Sequence, residues 1–339
     1  MNRRSDAGFS LVELLIATGI LLIVSSIVTT ALIQMTGAQK TIWNRTEMHS
    51  GIRGATELLQ QEVGQAGRIA TPATVTLIDP ITTGVVPSCD AASPATNAQP
   101  VRISSSSGLW AVTGTNASYV MLTSLDGNLQ ESFRVASIDN STTPYPTISA
   151  CFTHTHIAGT VLMPLGGFAT GIVPNTGVTN GSSGTVLKMY GDINGDGNMV
   201  YVEYTCDAAA AKLYRNVMPF TQAVASKPAN DDSMVLLSNI LPNPGGTACF
   251  TYQTDSMSIN GTTFTFVLDV AITLTVETEQ IDPVTRQKQT ETKALLNVSP
   301  RNVFHAWSFG GMGYTDRIQS TPATVQALVC AGYAGGTCP

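Results

Sequence analysis

The feature that most constrains this chain is an apolar stretch near its N-terminus. Arg3 and Arg4 precede a run of mainly apolar residues that extends from Phe9 to Leu32. About 20 such residues in an α-helix span roughly 30 Å, the thickness of the hydrocarbon core of a bilayer. Positive charge before the span places the N-terminus in the cytoplasm and the remainder of the chain outside it. The sequence therefore predicts a membrane-inserted precursor.

An ordinary secretory signal is the alternative interpretation of this stretch. A cleavage site of the Ala-x-Ala kind should then follow the apolar run, and none is evident there. Glu13 argues further against a signal peptide, because a carboxylate inside a membrane helix costs about 2.5–3.5 kcal/mol on insertion scales and normally has a partner. We therefore expect a retained membrane helix in which Glu13 is functional.

Residues 8–13 (GFSLVE) closely resemble the processing motif of type IV prepilins. This resemblance implies that a membrane peptidase, the prepilin peptidase, cuts between Gly8 and Phe9 and that the new amino terminus of Phe9 is methylated. It also implies that Glu13 pairs with an amino terminus in a subunit contact during assembly. Such pairing is physically reasonable, because two opposite charges that are each costly in lipid would be matched across the contact.

The helical pattern continues beyond the predicted membrane span. No proline occurs before Pro72, and apolar residues recur at helical spacing over residues 48–66. One helix over residues 10–66 would be roughly 85 Å long, apolar almost all round in its first half and amphipathic in its second, which resembles a pilin stem. Thr30 stands where many major pilins carry a helix-kinking proline, and this departure removes the basis for the kink that the resemblance would otherwise imply. A signal anchor followed by an unrelated soluble helix is the other interpretation.

From residue 71 onward, short apolar or alternating runs separated by Gly, Asn, Ser and Pro indicate β-strands. The runs are residues 101–103, 119–122, 133–138, 185–190, 199–206 and 264–277. The clearest hairpin joins residues 270–278 to 290–298, whose alternation fits an antiparallel sheet with one buried face. The predicted fold class is α+β, with a long N-terminal membrane and stem helix packed on an antiparallel β-sheet head with long loops. The predicted domains are a prepilin leader (1–8), a transmembrane and stem helix (9–70) and an extracytoplasmic β-rich head (71–339).

Three further segments resemble the minor-pilin family called PilW and the related pseudopilin J of type II secretion. They are residues 58–67 (LLQQEVGQAG), residues 202–204 with 213–215 (VEY and LYR), and residues 298–303 (VSPRNV). The resemblance implies a minor subunit whose partners are other pilin and minor pilin subunits.

The six cysteines all lie beyond the apolar N-terminus, and an even number in an extracytoplasmic domain predicts disulfides. Cys330 and Cys338 are close in sequence with glycines between them, which favours a terminal loop-closing bridge. Sequence order alone suggests the pairs Cys89–Cys151 and Cys206–Cys249. The absence of C-x-x-C spacing argues against zinc and thioredoxin chemistry.

Residues 192–203 (DINGDGNMVYVE) satisfy the calcium-loop pattern D-x-[DN]-x-[DN]-G-x₅-E. Calcium takes six to eight hard oxygen ligands, and Gly197 would allow the sharp turn that brings them together. The candidate ligands are Asp192, Asn194, Asp196, the Asn198 carbonyl and Glu203. The flanks look like strands rather than EF-hand helices, and a metal-free hairpin turn rich in Asn-Gly and Asp-Gly would give much of the same sequence. A structural Ca²⁺ and a metal-free turn are both open.

Other chemistry has little support in the sequence. His154 and His156 would share one face of a strand, and without a third ligand they are more often surface residues than a metal pair. No nucleophile elbow, zinc-protease helix or phosphate-binding glycine loop is present, so we predict no enzymatic activity. The net charge of −6 and the lack of a basic stripe predict no direct nucleic-acid binding.

The predicted function is that of a minor pilin-like structural subunit that is processed by prepilin peptidase and then joins, or primes the assembly of, a type IV pilus. The predicted location is the inner membrane for the precursor, then the periplasm and the cell-surface pilus. A type II secretion pseudopilin and a membrane-anchored surface-binding protein are the alternatives.

Overall fold

A computed structural model describes residues 10–82, 97–110, 121–125, 130–175, 180–259 and 261–331. The first element is the helix α1 (Leu11–Gln65), which is continuous over 55 residues. Two shorter helices, α2 (Arg301–Gly311) and α3 (Ala323–Cys330), follow late in the chain. The chain between α1 and α2 contains β-strands joined by turns and loops, and the predicted α+β class is confirmed.

The described strands are, in chain order, β1 (Val75–Thr76), β2 (Gln99–Arg102), β3 (Met121–Leu125), β4 (Ser132–Asp139), β5 (Thr147–Ala150), β6 (Val161–Pro164), β7 (Gly167–Phe168), β8 (Val186–Gly191), β9 (Val200–Asp207), β10 (Lys212–Pro219), β11 (Val235–Ser238), β12 (Ile240–Leu241), β13 (Phe250–Ile259), β14 (Thr262–Glu277), β15 (Thr290–Val298) and β16 (Ile318–Gln319).

These strands form three larger sheets and one short pair. The first sheet has the order β1-β6-β3-β4-β5-β2, and its neighbouring strands are antiparallel. The second has the antiparallel order β11-β10-β9-β8. In the third, β14 lies between β12 and β13 and also pairs with β15, which is the predicted hairpin. The short pair of β7 with β16 is parallel.

The alternation of apolar residues explains why one face of β14 is buried. Val270, Ile272, Leu274 and Val276 occupy every second position and are all buried. In an extended strand successive side chains point to opposite faces, so these four share one face, which removes their apolar surface from water. This is the alternation on which the hairpin prediction depended.

The chain divides into two compact units. One contains the described residues up to Gly51 together with Val276–Glu291, and the other contains Ile52–Thr275 with the described residues from Thr292 onward. The largest hydrophobic cluster of the second unit gathers side chains of the first sheet, such as Leu122, Phe133 and Ile148, with Val325 and Leu328 of α3. A separate cluster forms where Val303 and Ala306 of α2 pack with Phe266 and Ile318.

Candidate assembly site

The first half of α1 is exposed over residues 10–36, although most of its side chains are apolar. Leu11, Leu22 and Ile33, which lie at its beginning, middle and end, each expose more than half of their surface. Among the described residues, α1 is long and apolar enough to cross a membrane. A helix that is apolar all round requires lipid or other apolar helices around it, so this half of α1 is a surface for a membrane or for neighbouring subunits.

Hydroxyl side chains in this half of α1 donate hydrogen bonds to backbone carbonyls of the same helix. Thr18 donates to the Leu14 carbonyl at 2.9 Å, and Thr30 donates to the Ser26 carbonyl at 2.8 Å. Such bonds to the preceding turn lower the free energy needed to place a hydroxyl in lipid. Because Thr30 keeps its backbone N–H, α1 continues through the position where a proline would interrupt it.

Glu13 is exposed in the first turn of α1. Its carboxylate takes part in no ion pair or side-chain hydrogen bond among the residues that the structure describes. Gly8 and Phe9 lie outside the described residues, so the cleavage site and the methylated amine stay predictions. An exposed carboxylate on an apolar helix still requires a positive partner once lipid or protein surrounds it.

The tip of the β14–β15 hairpin packs along the middle of α1. The Thr41 hydroxyl donates to Asp282 Oδ1 at 3.0 Å, Arg45 Nε donates to Gln289 Oε1, and His49 Nδ1 lies against Glu291 Oε2. Burial raises the pKa of Asp282, but hydrogen bonds from the Val284 and Thr285 amides and from Thr41, with the charge of Arg45, outweigh it and leave the pKa below its usual range. The ionised Asp282 therefore fixes the hairpin tip to the helix.

A buried ion pair attaches the last turns of α1 to the second sheet. Glu62 is buried and accepts hydrogen bonds from Arg215 Nε on β10 at 3.0 Å and from the Tyr204 hydroxyl on β9 at 2.6 Å. Arg215 Nη2 also contacts Glu62 Oε1. Burial lowers the pKa of Arg215, and the hydrogen bond and charge of Glu62 outweigh that effect and raise it. Burial, together with the nearby Glu62 charge, raises the pKa of Tyr204.

The C-terminal end of α1 is capped by the third PilW-like segment. Asn302 Nδ2 donates to the Gln65 carbonyl at 3.1 Å and lies 3.4 Å from the Ala66 carbonyl, which satisfies acceptors that a helix end leaves free. Gly67 follows with φ of +81°, and a Cβ there would lie 2.9 Å from Val303 Cγ2. Glu62, Tyr204, Arg215 and Asn302 belong to the three segments that resemble PilW, and all of them meet at this end of the helix.

The calcium-loop residues are only partly brought together. Asp192 is fully buried, accepts the Gly197 amide at 3.2 Å and lies 3.5 Å from Arg68 Nε, whereas Asn194 and Asp196 are exposed. The Asn198 amide donates to Asp196 Oδ1 at 2.9 Å. The loop connects β8 to β9, so it is a hairpin turn rather than an EF-hand.

Glu203, the fifth proposed ligand, has other partners. Its Oε1 accepts the Tyr201 hydroxyl at 2.6 Å and Lys227 Nζ at 2.7 Å, and Lys188 Nζ lies 3.7 Å away. The described residues contain no group of three or more His, Cys, Asp or Glu side chains that could hold a metal. Glu203 therefore stabilises the buried Lys188 and the half-buried Lys227. Calcium binding by the remaining four residues stays a prediction.

Disulfides are present in the head. Cys206 of β9 is bonded to Cys249, which precedes β13, as sequence order suggests. Cys151 and Cys330 are also disulfide-bonded. Cys89 and Cys338 lie outside the described residues, so the pairs Cys89–Cys151 and Cys330–Cys338 stay predictions.

The expectation that both histidines after Cys151 lie on the surface is wrong for His156. Its Nε2 lies 2.8 Å from Glu131 Oε1 and 3.2 Å from Ser124 Oγ, and the side chain is buried. His154 is about half exposed and contacts Thr153 and Glu131. Sequence alternation placed the two imidazoles on one face, and both lie close to Glu131, but the tertiary structure buries only His156.

Comparison with known protein families finds a match at the N-terminus. Residues 3–29 match the family model described as the prokaryotic N-terminal methylation motif. No curated protein and no solved structure matches the chain. The motif covers Gly8, Phe9 and Glu13 and continues into the exposed apolar half of α1. The chain therefore carries a prepilin processing and methylation motif on a membrane-length helix, which supports a type IV pilin-like protein.

Proposed function

We propose that this protein is a minor pilin-like structural subunit that joins a type IV pilus or primes its assembly. The observation that carries the proposal is the exposed apolar half of α1, which bears the methylation motif and Glu13. Such a surface is stable in a bilayer and among other apolar helices, so a subunit can pass from membrane to filament. The partners are other pilin and minor pilin subunits, with prepilin peptidase acting on the precursor.

A minor role is favoured by the large head and by the three PilW-like segments. These segments supply the contacts that fix the end of α1, so they are a coherent structural unit rather than scattered similarities. The role that we assign is structural and not enzymatic.

Deletion of the gene tests the assignment when surface pili and exoprotein secretion are both measured. We expect pili to be lost or reduced and secretion to be normal, with recovery on complementation by the wild-type gene. Normal pili with failed secretion would identify a type II secretion pseudopilin instead. Normal pili and secretion, with a head that still binds a surface, would identify a membrane-anchored binding protein.

We also propose that the loop of residues 192–198 binds a structural Ca²⁺ through Asp192, Asn194, Asp196 and the Asn198 carbonyl. The support is the ligand pattern and the Asp192 Oδ2 atom, which is buried without a hydrogen bond. Calcium would have to displace the nearby Arg68 guanidinium. We expect calcium to raise the melting temperature of the protein relative to chelator, and identical melting curves would exclude this site.

A further inference from the structure

The tip of the β14–β15 hairpin exposes two large apolar side chains. Ile281 is 62% exposed and Val284 is 72% exposed. Within the described part of the chain nothing covers them. Single exposed apolar residues are common, so the pair requires a functional explanation only if its position supplies a partner.

The turn holds these two side chains in a fixed direction. Asp282, between them, is buried, and its Oδ1 accepts the Val284 amide at 2.8 Å and the Thr285 amide at 3.3 Å. The Arg286 amide donates to the Asp282 carbonyl at 2.8 Å. An Asp side chain that accepts following amides fixes a turn. Ile281 and Val284 therefore point outward from an ordered turn that is tied to Thr41 of α1.

The turn lies next to the place where the apolar half of α1 ends. A Cβ on Gly37 would lie 3.9 Å from Pro283 Cγ, so the tip touches α1 at Gly37. Ile33 and Met35 are exposed and extend the predicted apolar run beyond Leu32, and Gly37 is only about 3 Å beyond Met35 at 1.5 Å per residue. The polar layer on each side of a bilayer core is roughly 5–8 Å thick. Pro283 is therefore at the level of the lipid headgroups when Met35 lies at the edge of the core.

Charge neither repels the tip from a membrane nor attracts it strongly. Lys288 forms an ion pair with Glu277 at 2.5 Å. Glu279 and Arg286, which have opposite signs, are the other charged residues exposed at the turn. Apolar contact is then the main force, as in other interfacial segments.

We propose that this tip is a second membrane contact, in which Ile281 and Val284 enter the boundary between headgroups and acyl chains on the extracytoplasmic face of the bilayer that α1 spans. The inference rests on the proposed function, because it concerns the membrane-inserted precursor. Together α1 and the tip attach the precursor at two points and restrict its rotation about the helix axis. Entry into a filament requires the tip to leave the lipid.

The test uses the full-length chain in phosphatidylcholine vesicles with one environment-sensitive fluorophore on an introduced thiol. The described cysteines are disulfide-bonded, so they do not compete with the introduced thiol for the label. Val284→Cys reports on the tip. Ile33→Cys lies inside the apolar run, and Glu47→Cys lies on α1 about 18 Å beyond Met35, outside the headgroup layer.

We expect the Val284 label to be blue-shifted, quenched by lipids with a nitroxide near the headgroup, and shielded from iodide relative to the Glu47 label. Introducing Ile281→Asp should remove this shielding, while the melting temperature stays the same because Ile281 is exposed. The shielding should not change when phosphatidylglycerol is added, since the charges that the tip exposes to the bilayer surface balance one another.

Equal iodide quenching of the Val284 and Glu47 labels would overturn the proposal. Shielding that appears only at high protein-to-lipid ratio would also overturn it, because the tip would then contact a second copy of the chain. These vesicles contain no other pilus component, so a negative result here leaves the gene-deletion result unaffected, and loss of pili can be observed whichever surface the tip contacts.

Discussion

The two ends of α1 both carry apolar side chains, but these side chains have opposite surroundings. Residues 11–36 are exposed, whereas Ile52, Leu59 and Val63 near the other end are buried against the head. Each end also carries a carboxylate. Glu62 is paired within its own chain, and Glu13 has no such partner in the described structure. The difference indicates that the second end of the helix is completed by folding, while the first end requires a membrane or another subunit.

The largest expected effect, and the strongest test of this comparison, comes from replacing Glu13. We expect Glu13→Ala to abolish incorporation into pili, because the charge proposed to match a neighbouring amino terminus is removed. The measurement is the amount of this protein in sheared pili, with membrane levels as the reference. The melting temperature of the head should be unchanged, since Glu13 has no contact to lose there. A variant that assembles normally would contradict the assembly role of Glu13.

The corresponding change at the other end should act on stability. Glu62→Ala leaves Arg215 and Tyr204 without their shared partner, and we expect the free energy of unfolding to fall by about 2–4 kcal/mol. Chemical denaturation of the full-length chain in detergent measures it. Glu57→Ala is the matched control on the same helix, because Glu57 forms only an exposed pair with Arg53. Equal effects of the two changes would show that the buried ion pair does not hold the stem.

Between these ends, the contact of Thr41 with Asp282 should depend on pH. The pKa of Asp282 is lowered in the folded protein, so its ionised form contributes stability above the unfolded pKa near 3.8. That contribution is lost as the pH falls from this value through the folded pKa. We expect amide hydrogen exchange over residues 37–49 to become faster, relative to the intrinsic rates, over this interval.

Asp282→Asn provides the control for that measurement. It keeps an acceptor oxygen but removes the titrating charge, so the protection of residues 37–49 should no longer change in this pH interval. If the protection of residues 37–49 in the unsubstituted protein stays constant down to the lowest pH, the charge of Asp282 does not hold the hairpin tip to α1.

The smallest expected effect concerns a glycine in the buried end of α1. A Cβ added to Gly64 would have no neighbour within 4 Å. Alanine is the better helix former, so Gly64→Ala should increase the free energy of unfolding by about 0.5–1 kcal/mol. Gly67→Ala, three residues later, should destabilise the protein because of the positive φ and the contact with Val303. Thermal melting of both variants measures these opposite effects. A higher melting temperature for the first and a lower one for the second would place the end of the helix between Gly64 and Gly67.

Much of the fold could be predicted because its signals are local. The apolar run, the processing motif and the absence of proline before Pro72 all predict α1, and the alternation around Ile272 predicts the hairpin of β14 with β15. Helices α2 and α3 were not predicted. They have 11 and eight residues, too few turns for a clear apolar period to stand out.

The sequence by itself determined the membrane helix and the assembly motif, because covalent order and short-range periodicity are sufficient for both. Only the tertiary structure decided the partner of each buried charge. Glu62 and Arg215 are 153 residues apart in the sequence. Glu203 is part of the calcium-loop pattern, but in the structure its carboxylate contacts lysines and not the other candidate ligands of that pattern. The reason is physical: a charge removed from water requires a partner within a few ångströms, and sequence spacing does not show which distant residues the sheets bring that close.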